Sequence, residues 1–155
     1  MAFVGKKFPS IEVNAMNEMG DTIRINVVEK AIQEGKKVLL FWYPKDFTFV
    51  CPTELHAFQE ALGRFEERDT IVIGASCDTP EVHFAWLSTP KDDGGIEGVT
   101  YDLLADSNRN LANMLGILDT TNIRIDEETG AELRDGDNVT YRATYLIDEE
   151  GIVFH

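Results

Sequence analysis

The sequence predicts a single α/β domain with a mixed β-sheet, because segments with strand patterns alternate with segments of helical periodicity. Two continuous apolar runs, at residues 38–43 and 70–76, are typical of strands that are covered on both faces. A chain of 155 residues with 43% hydrophobic content is long enough to bury a core of its own. We therefore expect residues 1–155 to form one domain, without repeats or an interdomain linker.

Each predicted element combines a periodicity with boundary residues that support it. In chain order the elements are a hairpin (11–15 with 23–27), a helix (28–34), a strand (38–43), a helix (about 52–68), a strand (70–76), a helix (from about 80 to 88), a strand (101–105), a helix (about 107–115) and a hairpin (143–147 with 152–154).

The helix boundaries are predicted from capping residues. Gly35 and Gly116 follow the first and the last helix, where glycine is favoured because it adopts a left-handed conformation easily. Pro52 and Pro80 stand at first-turn positions, where a missing N–H costs nothing. Asp106, or Ser107 after it, is expected to cap the last helix.

The strand boundaries are predicted from turn residues and from the length of each apolar run. Pro44 stops the strand at 38–43, and Asp and Gly positions at 148–151 predict a type I turn in the C-terminal hairpin. The helix at 52–68 is amphipathic, since its apolar residues fall on one face; they are Leu55, Phe58, Leu62 and Phe65.

The charge balance disfavours two classes of partner. The chain has 14 Lys+Arg and 28 Asp+Glu, a formal net charge of −14, which repels nucleic acids and anionic membrane surfaces. The N-terminus shows no export signal and no apolar run is long enough to cross a bilayer, so we expect a cytoplasmic protein. Two cysteines, Cys51 and Cys77, do not make a disulfide framework. We therefore expect any functional cysteine to act through the reactivity of its thiol.

Cys51 has the position of a reactive thiol. The segment 41–54 leaves the C-terminal end of a predicted buried strand and enters a helix, where open α/β sheets bind their ligands. Unpaired N–H groups and the helix dipole favour a thiolate at such a helix N-terminus, and they also favour an anionic or oxyanionic reactant.

These residues resemble a known family. Pro44, Thr48 and Cys51 match the PxxxTxxC motif of peroxiredoxins, and residues 47–54, Phe-Thr-Phe-Val-Cys-Pro-Thr-Glu, resemble the typical two-cysteine group that includes bacterial alkyl hydroperoxide reductases. Further segments are similar to the family in the same order; they are 83–90, 104–106 with 116–118, and 141–148. The resemblance implies a thioredoxin-like sandwich with a mixed central sheet, helices on both faces and an N-terminal β-hairpin extension.

The resemblance also implies a role for each residue of the site. Cys51 is the expected peroxidatic nucleophile, which attacks a peroxide oxygen and becomes a sulfenic acid. Thr48 is expected to hydrogen-bond the thiolate and the peroxide, and Pro44 to shield the site. Arg142 is expected to keep the cysteine ionised and to polarise the peroxide. Glu54, one helical turn beyond the cysteine, is expected to orient an arginine.

The predicted activity is a thiol-dependent peroxidase for hydrogen peroxide and small organic hydroperoxides. A thioredoxin-like or flavoprotein disulfide reductase is the expected electron donor, and a homodimer or a ring of dimers the expected assembly. No cofactor is expected, and no metal, since His56, His83 and His155 lack the spacing of a zinc site with either cysteine. The alternative function is a redox-regulated chaperone or a peroxide-signalling module.

Two other cysteine chemistries fit the sequence poorly. A thioredoxin-like disulfide reductase needs a CxxC pair, and position 54 is Glu54. A cysteine phosphatase needs an arginine six residues beyond its nucleophile, and that position is Ala57.

Four features leave alternatives open. Cys77 is expected to be a buried structural residue, with a disulfide to Cys51 as the alternative. Trp86 is expected to pack, or to form part of a subunit contact, rather than to catalyse. An acidic insertion at about 119–140 departs from the family pattern and predicts a small exposed hairpin, with a role in subunit contact or in the choice of reductase as the alternative. A Val-Cys-Pro segment with a resolving cysteine does not follow Phe154, which we interpret as a shortened C-terminus, with a one-cysteine mechanism as the alternative.

Overall fold

The computed structural model describes residues 3–48, 51–119, 123–134 and 138–155. In these ranges eight strands and five α-helices follow one another as β1 (Glu12–Met16), β2 (Thr22–Asn26), α1 (Val27–Glu34), β3 (Lys37–Trp42), α2 (Cys51–Glu60), α3 (Leu62–Glu66), β4 (Thr70–Ser76), α4 (Pro80–Leu87), β5 (Asp102–Ala105), α5 (Asn110–Leu115), β6 (Ile123–Ile125), β7 (Glu132–Arg134) and β8 (Ala143–Ile147). A short 3₁₀ turn, Lys91–Asp93, connects α4 to β5.

Six strands form one mixed sheet in the order β2-β1-β5-β4-β3-β8. β3, β4 and β5 are parallel, while the outer pairings, β1 with β5 and β3 with β8, are antiparallel. The predicted N-terminal hairpin is confirmed, and its strand β1 also pairs with β5, so the hairpin widens the central sheet. The parallel strands therefore end together at one edge.

The sheet separates two hydrophobic clusters, as the predicted two-faced burial requires. Alternate residues of β3 point to opposite faces: Val38 and Leu40 join one cluster, and Leu39 and Phe41 join the other. The first cluster also contains residues of α1 and α5, and the second contains residues of α2 and α4. Helices therefore cover both faces of the sheet.

The predicted helix at 52–68 is wrong in its continuity. The structure has two helices, α2 and α3, which meet at Ala61, where the backbone φ and ψ are −88° and −2°. The Arg64 amide donates to the Ala61 carbonyl, which is the shorter spacing of a turn. Gly63, a weak helix former, lies two residues further on and favours the interruption.

The predicted cap of the last helix is corrected in its position. Arg109, with a positive φ of 65°, occupies the N-cap position of α5, which begins at Asn110. The Asp106 carboxylate nevertheless accepts hydrogen bonds from the amides of Leu111 and Ala112, at 3.2 and 2.7 Å. Asp106 thus caps α5 although residues 107–109 separate it from the helix, because its side chain reaches the first helical amides.

Two smaller predictions concern the acidic insertion and the C-terminal segment. The small hairpin in the acidic insertion is confirmed as the separate pair β6 and β7. The predicted return of the chain along β8 is confirmed by backbone bonds from Asp148 to Ile152 and from Phe154 to Leu146, but residues 152–154 form isolated bridges, to Lys7 and to Ile147, rather than a continuous strand. This segment lies between the N-terminal segment and β8, so its backbone bonds are shared between both neighbours.

Candidate active site

The predicted site residues lie along the edge of the sheet where the parallel strands end. Helix α2 begins there at Cys51, after the loop that leaves β3. β8 runs antiparallel to β3, and the register pairs Trp42 with Ala143. The start of β8 therefore lies beside the end of β3, which places Arg142 at the same edge as α2.

The loop from β3 to α2 carries the predicted residues Pro44 and Thr48, both of which are half-buried. Thr48 lines a cavity of about 370 Å³ together with Pro52 and His56 of α2 and with Gly94. Residues 49–50 and the side chain of Cys51 lie outside the described part of the chain. The structure thus describes the elements around Cys51 but not its side chain.

Arg142 and Glu54, which are far apart in the sequence, meet in the structure. The Arg142 Nε donates to Glu54 Oε1 at 2.8 Å, and the two side chains are 45% and 35% exposed. Both residues line a second cavity of about 280 Å³ on this side of α2, with Phe58 and Thr144. Glu54 therefore fixes the guanidinium beside the first turn of the helix that Cys51 begins.

The segment that leads into Arg142 is held at the base of the acidic insertion. Leu118 and Thr140 form a bridge, and the Tyr141 amide donates to the Ile117 carbonyl at 2.9 Å. The Thr140 hydroxyl also donates to the carbonyl of Tyr43 at 3.4 Å. Backbone contacts and the Thr140 side chain thus hold the two residues before Arg142 and position the arginine.

A buried polar network beneath the loop was missed by the sequence analysis. Asp46 accepts a hydrogen bond from the Tyr43 hydroxyl at 2.7 Å and contacts His83 Nδ1 at 2.6 Å. Its own amide donates to Asp78 Oδ2 at 2.8 Å, and that oxygen also accepts from the Ser76 hydroxyl at 2.7 Å. The only sequence signal was an acidic residue inside the motif loop, since a partner on another helix leaves no local pattern.

The network also explains a cluster that has the composition of a metal site. One ligand atom from each of Asp46, Asp78 and His83 lies within 4.8 Å of the others. The hydrogen bonds above, and a contact of 2.8 Å between His83 Nε2 and the Leu104 carbonyl, already engage these groups. Protein donors and acceptors thus account for the arrangement.

Burial and mutual contact shift the pKa values of this network. Burial raises the pKa of the Asp46 carboxyl, against the hydrogen bond and the charge of His83. Burial alone would lower the pKa of His83, but the hydrogen bond to Asp46 and its charge outweigh burial and raise that pKa. Burial, reinforced by Asp46, raises the pKa of Tyr43 well above its ordinary value. The pair of Asp46 and His83 therefore retains a proton.

Cys77 lies on the other side of the sheet from α2. It is 7% exposed and belongs to the cluster that contains residues of α1 and α5. Burial, and then the charge of Asp106, raise the pKa of its thiol to about 12. These observations support a structural role for Cys77, because a buried neutral thiol is a poor nucleophile.

Trp86 packs as expected and also ties down the loop that follows α4. Its side chain is fully buried, and its indole N–H donates to the Gly94 carbonyl at 2.9 Å. His56 of α2 contacts the Gly95 carbonyl at 3.1 Å. The glycine loop is thereby joined to α4 and to α2, and α2 lines the first cavity.

Comparisons with known proteins find relatives that match most of this chain. A model of the AhpC/TSA family matches residues 4–155. Peroxiredoxin 1 of Brugia malayi is 40% identical over 123 residues, which are 79% of this chain and 47% of that protein. Peroxiredoxin-1 of Gekko japonicus is 35% identical over 150 residues, which are 97% of this chain and 66% of that protein. The chain thus spans about half to two thirds of the length of these relatives.

The solved structures show the same architecture. The crystal structure of the reduced 2-Cys peroxiredoxin of Plasmodium vivax superposes with a TM-score of 0.82 at 35% identity, and the match covers 99% of this chain and 83% of that one. The fold is therefore the thioredoxin-like sandwich that the motif predicted. Because the family model extends over nearly all of its residues, the chain belongs to the AhpC/TSA family, and peroxiredoxins are its relatives.

Proposed function

We propose that the chain is a thiol-dependent peroxidase that reduces hydrogen peroxide and small organic hydroperoxides through Cys51. One observation carries the proposal: the contact of 2.8 Å between Arg142 and Glu54 places a cation beside the first turn of the helix that begins with Cys51. A cation and free helix N–H groups at this position favour a thiolate and a polarised peroxide.

The proposed reaction is a displacement on oxygen. The Cys51 thiolate attacks one oxygen of ROOH, the S–O bond forms as the O–O bond breaks, and RO⁻ leaves and takes up a proton as ROH. The cysteine is oxidised to a sulfenic acid and the peroxide is reduced. A thiol reductant then forms a mixed disulfide and releases water, and a second thiol restores the cysteine.

Thr48, Pro44 and Arg142 have distinct parts in this proposal. The Thr48 hydroxyl donates to the peroxide at the edge of the first cavity, and Pro44 limits access of water. Arg142 stabilises the charge that develops on the leaving oxygen. Lowering a thiol pKa from about 8.5 to about 6 gains only roughly thirteenfold in thiolate near pH 7.4, so these donors must supply most of the acceleration.

The electron donor and the assembly belong to the same proposal. We expect a thioredoxin-like or flavoprotein disulfide reductase as the donor, because the sulfenic acid must return to a thiol, and a reducing compartment such as the cytoplasm suits this cycle. A homo-oligomer is supported by two exposed aromatic side chains, Phe47 at 53% and Phe84 at 49%. Every helix in the described ranges falls short of the length and apolar character that a bilayer crossing requires.

The test uses Cys51→Ser, with Cys77→Ser as the matched control. We expect the first variant to lose peroxide consumption, because a serine hydroxyl is not ionised near neutral pH, and the second to keep most of it. Consumption is measured with hydrogen peroxide and a small dithiol as reductant. Peroxide consumption that persists unchanged in Cys51→Ser would refute the proposed function.

A further inference from the structure

Asp46 is fixed at three points in the loop that carries Thr48. Its carboxylate bonds the Tyr43 hydroxyl at the end of β3 and His83 on α4, and its amide bonds the carboxylate of Asp78 beyond β4. Asp46 is 5% exposed, while Tyr43 and His83 are fully buried. The loop is thus joined to three separate elements through one residue.

The contact between Asp46 and His83 has a defined proton arrangement. The Leu104 carbonyl can only accept, so His83 Nε2 must donate across the 2.8 Å contact. One further proton then lies between His83 Nδ1 and Asp46 Oδ2, which are 2.6 Å apart. The contact is therefore a directed hydrogen bond that locks the ring and the carboxylate in place.

The residue after Asp46 has a strained backbone. Phe47 has a φ of 60°, a left-handed conformation that a bulky side chain rarely adopts. Its ring lies 5.9 Å from that of Trp86 and is half exposed, which is weak support for such a conformation. Strain of this kind persists where the surroundings enforce it, and the fixed neighbour here is Asp46.

We propose that Asp46 is a positioning residue of the active site, whose three contacts hold the turn at Phe47 in the conformation that presents Thr48 to the peroxide. The inference rests on the proposed peroxidase function and adds a residue to it. Asp46 acts through Thr48 and the loop, because its own carboxylate is enclosed by Tyr43 and His83.

Two substitutions of Asp46 separate the effect of its hydrogen bonds from the effect of its negative charge. Asp46→Ala removes both carboxylate contacts and frees the turn. In Asp46→Asn the amide oxygen can still accept from Tyr43, and the amide N–H₂ can donate to His83 Nδ1 while Nε2–H keeps its bond to Leu104. The asparagine variant therefore retains the hydrogen bonds without a carboxylate.

The readout is the rate constant of Cys51 with hydrogen peroxide divided by its rate constant with iodoacetamide. Both reactions need the thiolate and access to it, but only the first needs aligned donors, so the ratio reports positioning. Asp106→Ala is the matched control, because Asp106 is as buried as Asp46 and lies at the same sheet edge, yet its carboxylate caps α5. The Asp106→Ala variant therefore reports the effect of lost folding stability alone.

We expect the ratio to fall about 10- to 100-fold in Asp46→Ala, to return to within about threefold of the wild-type value in Asp46→Asn, and to stay unchanged in Asp106→Ala. If Asp46→Ala does not fold, Tyr43→Phe removes one of the same contacts and should lower the ratio severalfold. An unchanged ratio in the folded variant, or an equal fall in Asp106→Ala, overturns the inference. Failure of the proposed function appears instead as a wild-type chain whose Cys51 does not react with peroxide.

Discussion

Glu54→Ala tests whether Arg142 acts through its placement beside α2. The contact of 2.8 Å joins side chains that are 45% and 35% exposed, so solvent screens it. Exposed pairs of this kind contribute about 0.2–1 kcal/mol to folding. For a chain of this size such a loss lowers the melting temperature by at most about 4 °C. The fold should therefore survive the substitution.

The expected loss of activity is larger than this loss of stability. Removing a donor that stabilises developing negative charge costs about 100- to 1000-fold in known enzymes, and Glu54→Ala only releases such a donor. We expect the rate constant with hydrogen peroxide to fall about 10- to 100-fold, which corresponds to about 1.4–2.7 kcal/mol of activation free energy. This effect exceeds the contribution of the pair to folding.

The sign of the electrostatic effect separates two explanations. Glu54 is negative and lies one turn from Cys51, so its removal should favour the thiolate rather than disfavour it. A smaller thiolate fraction in Glu54→Ala could therefore arise only from the displacement of Arg142, and the pH profile separates that effect from a loss of donor alignment. Glu54→Gln is the matched control, because its carbonyl oxygen can still accept from Arg142 Nε, and we expect a loss below about fivefold.

The assay is stopped-flow fluorescence with hydrogen peroxide from pH 5 to 9, with circular dichroism as the check of folding. The proposed placement predicts a loss that persists across this range. An unchanged rate constant in Glu54→Ala, or full recovery at high pH, would refute it, since the arginine would then act only on thiol ionisation or not at all.

Three further predictions concern the rest of the chain. Cys77, whose thiol pKa is raised to about 12, should resist iodoacetamide in the native protein at pH 8. One equivalent of peroxide should add an oxygen to Cys51, and external thiols should remove it. A stoichiometric disulfide between Cys51 and Cys77 in intact mass spectra would refute the structural role of Cys77. Gly95→Ala should destabilise the fold by about 1–3 kcal/mol in urea, because its Cβ would lie 2.0 Å from the Thr89 carbonyl oxygen, whereas Gly63→Ala, with open space around it, should stabilise α3 by about 0.5–1 kcal/mol. The folded chain should lose stability as pH rises above about 6.5, because the pKa of His83 is raised in the folded state. The stabilising contribution of protonated His83 is complete below its unfolded pKa and is lost as pH rises through its folded pKa. Urea midpoints that are flat from pH 6 to 10 would contradict this.

Most of the fold could be predicted because its determinants are local. The two-sided burial of β3 and β4 follows from continuous apolar runs, and the ends of α1 and α5 follow from glycines in left-handed conformations. The break at Ala61 escaped prediction because the apolar face continues across it. The start of α5 was predicted too early, because the Asp106 carboxylate caps the helix across an intervening turn that has no clear sequence signal.

For the site, the sequence by itself determined that Cys51 begins a helix after a buried strand, within a motif that also includes Thr48 and Pro44. These relations are short-range, and the spacing of residues along one loop encodes them. Only the tertiary structure decided which distant side chains meet there. Arg142 reaches Glu54 across 88 positions through the pairing of β8 with β3, and His83 reaches Asp46 across 37 through the packing of α4 on the sheet. Periodicity states which face of an element is apolar, but strand register and helix docking, which the whole core sets, determine its partner.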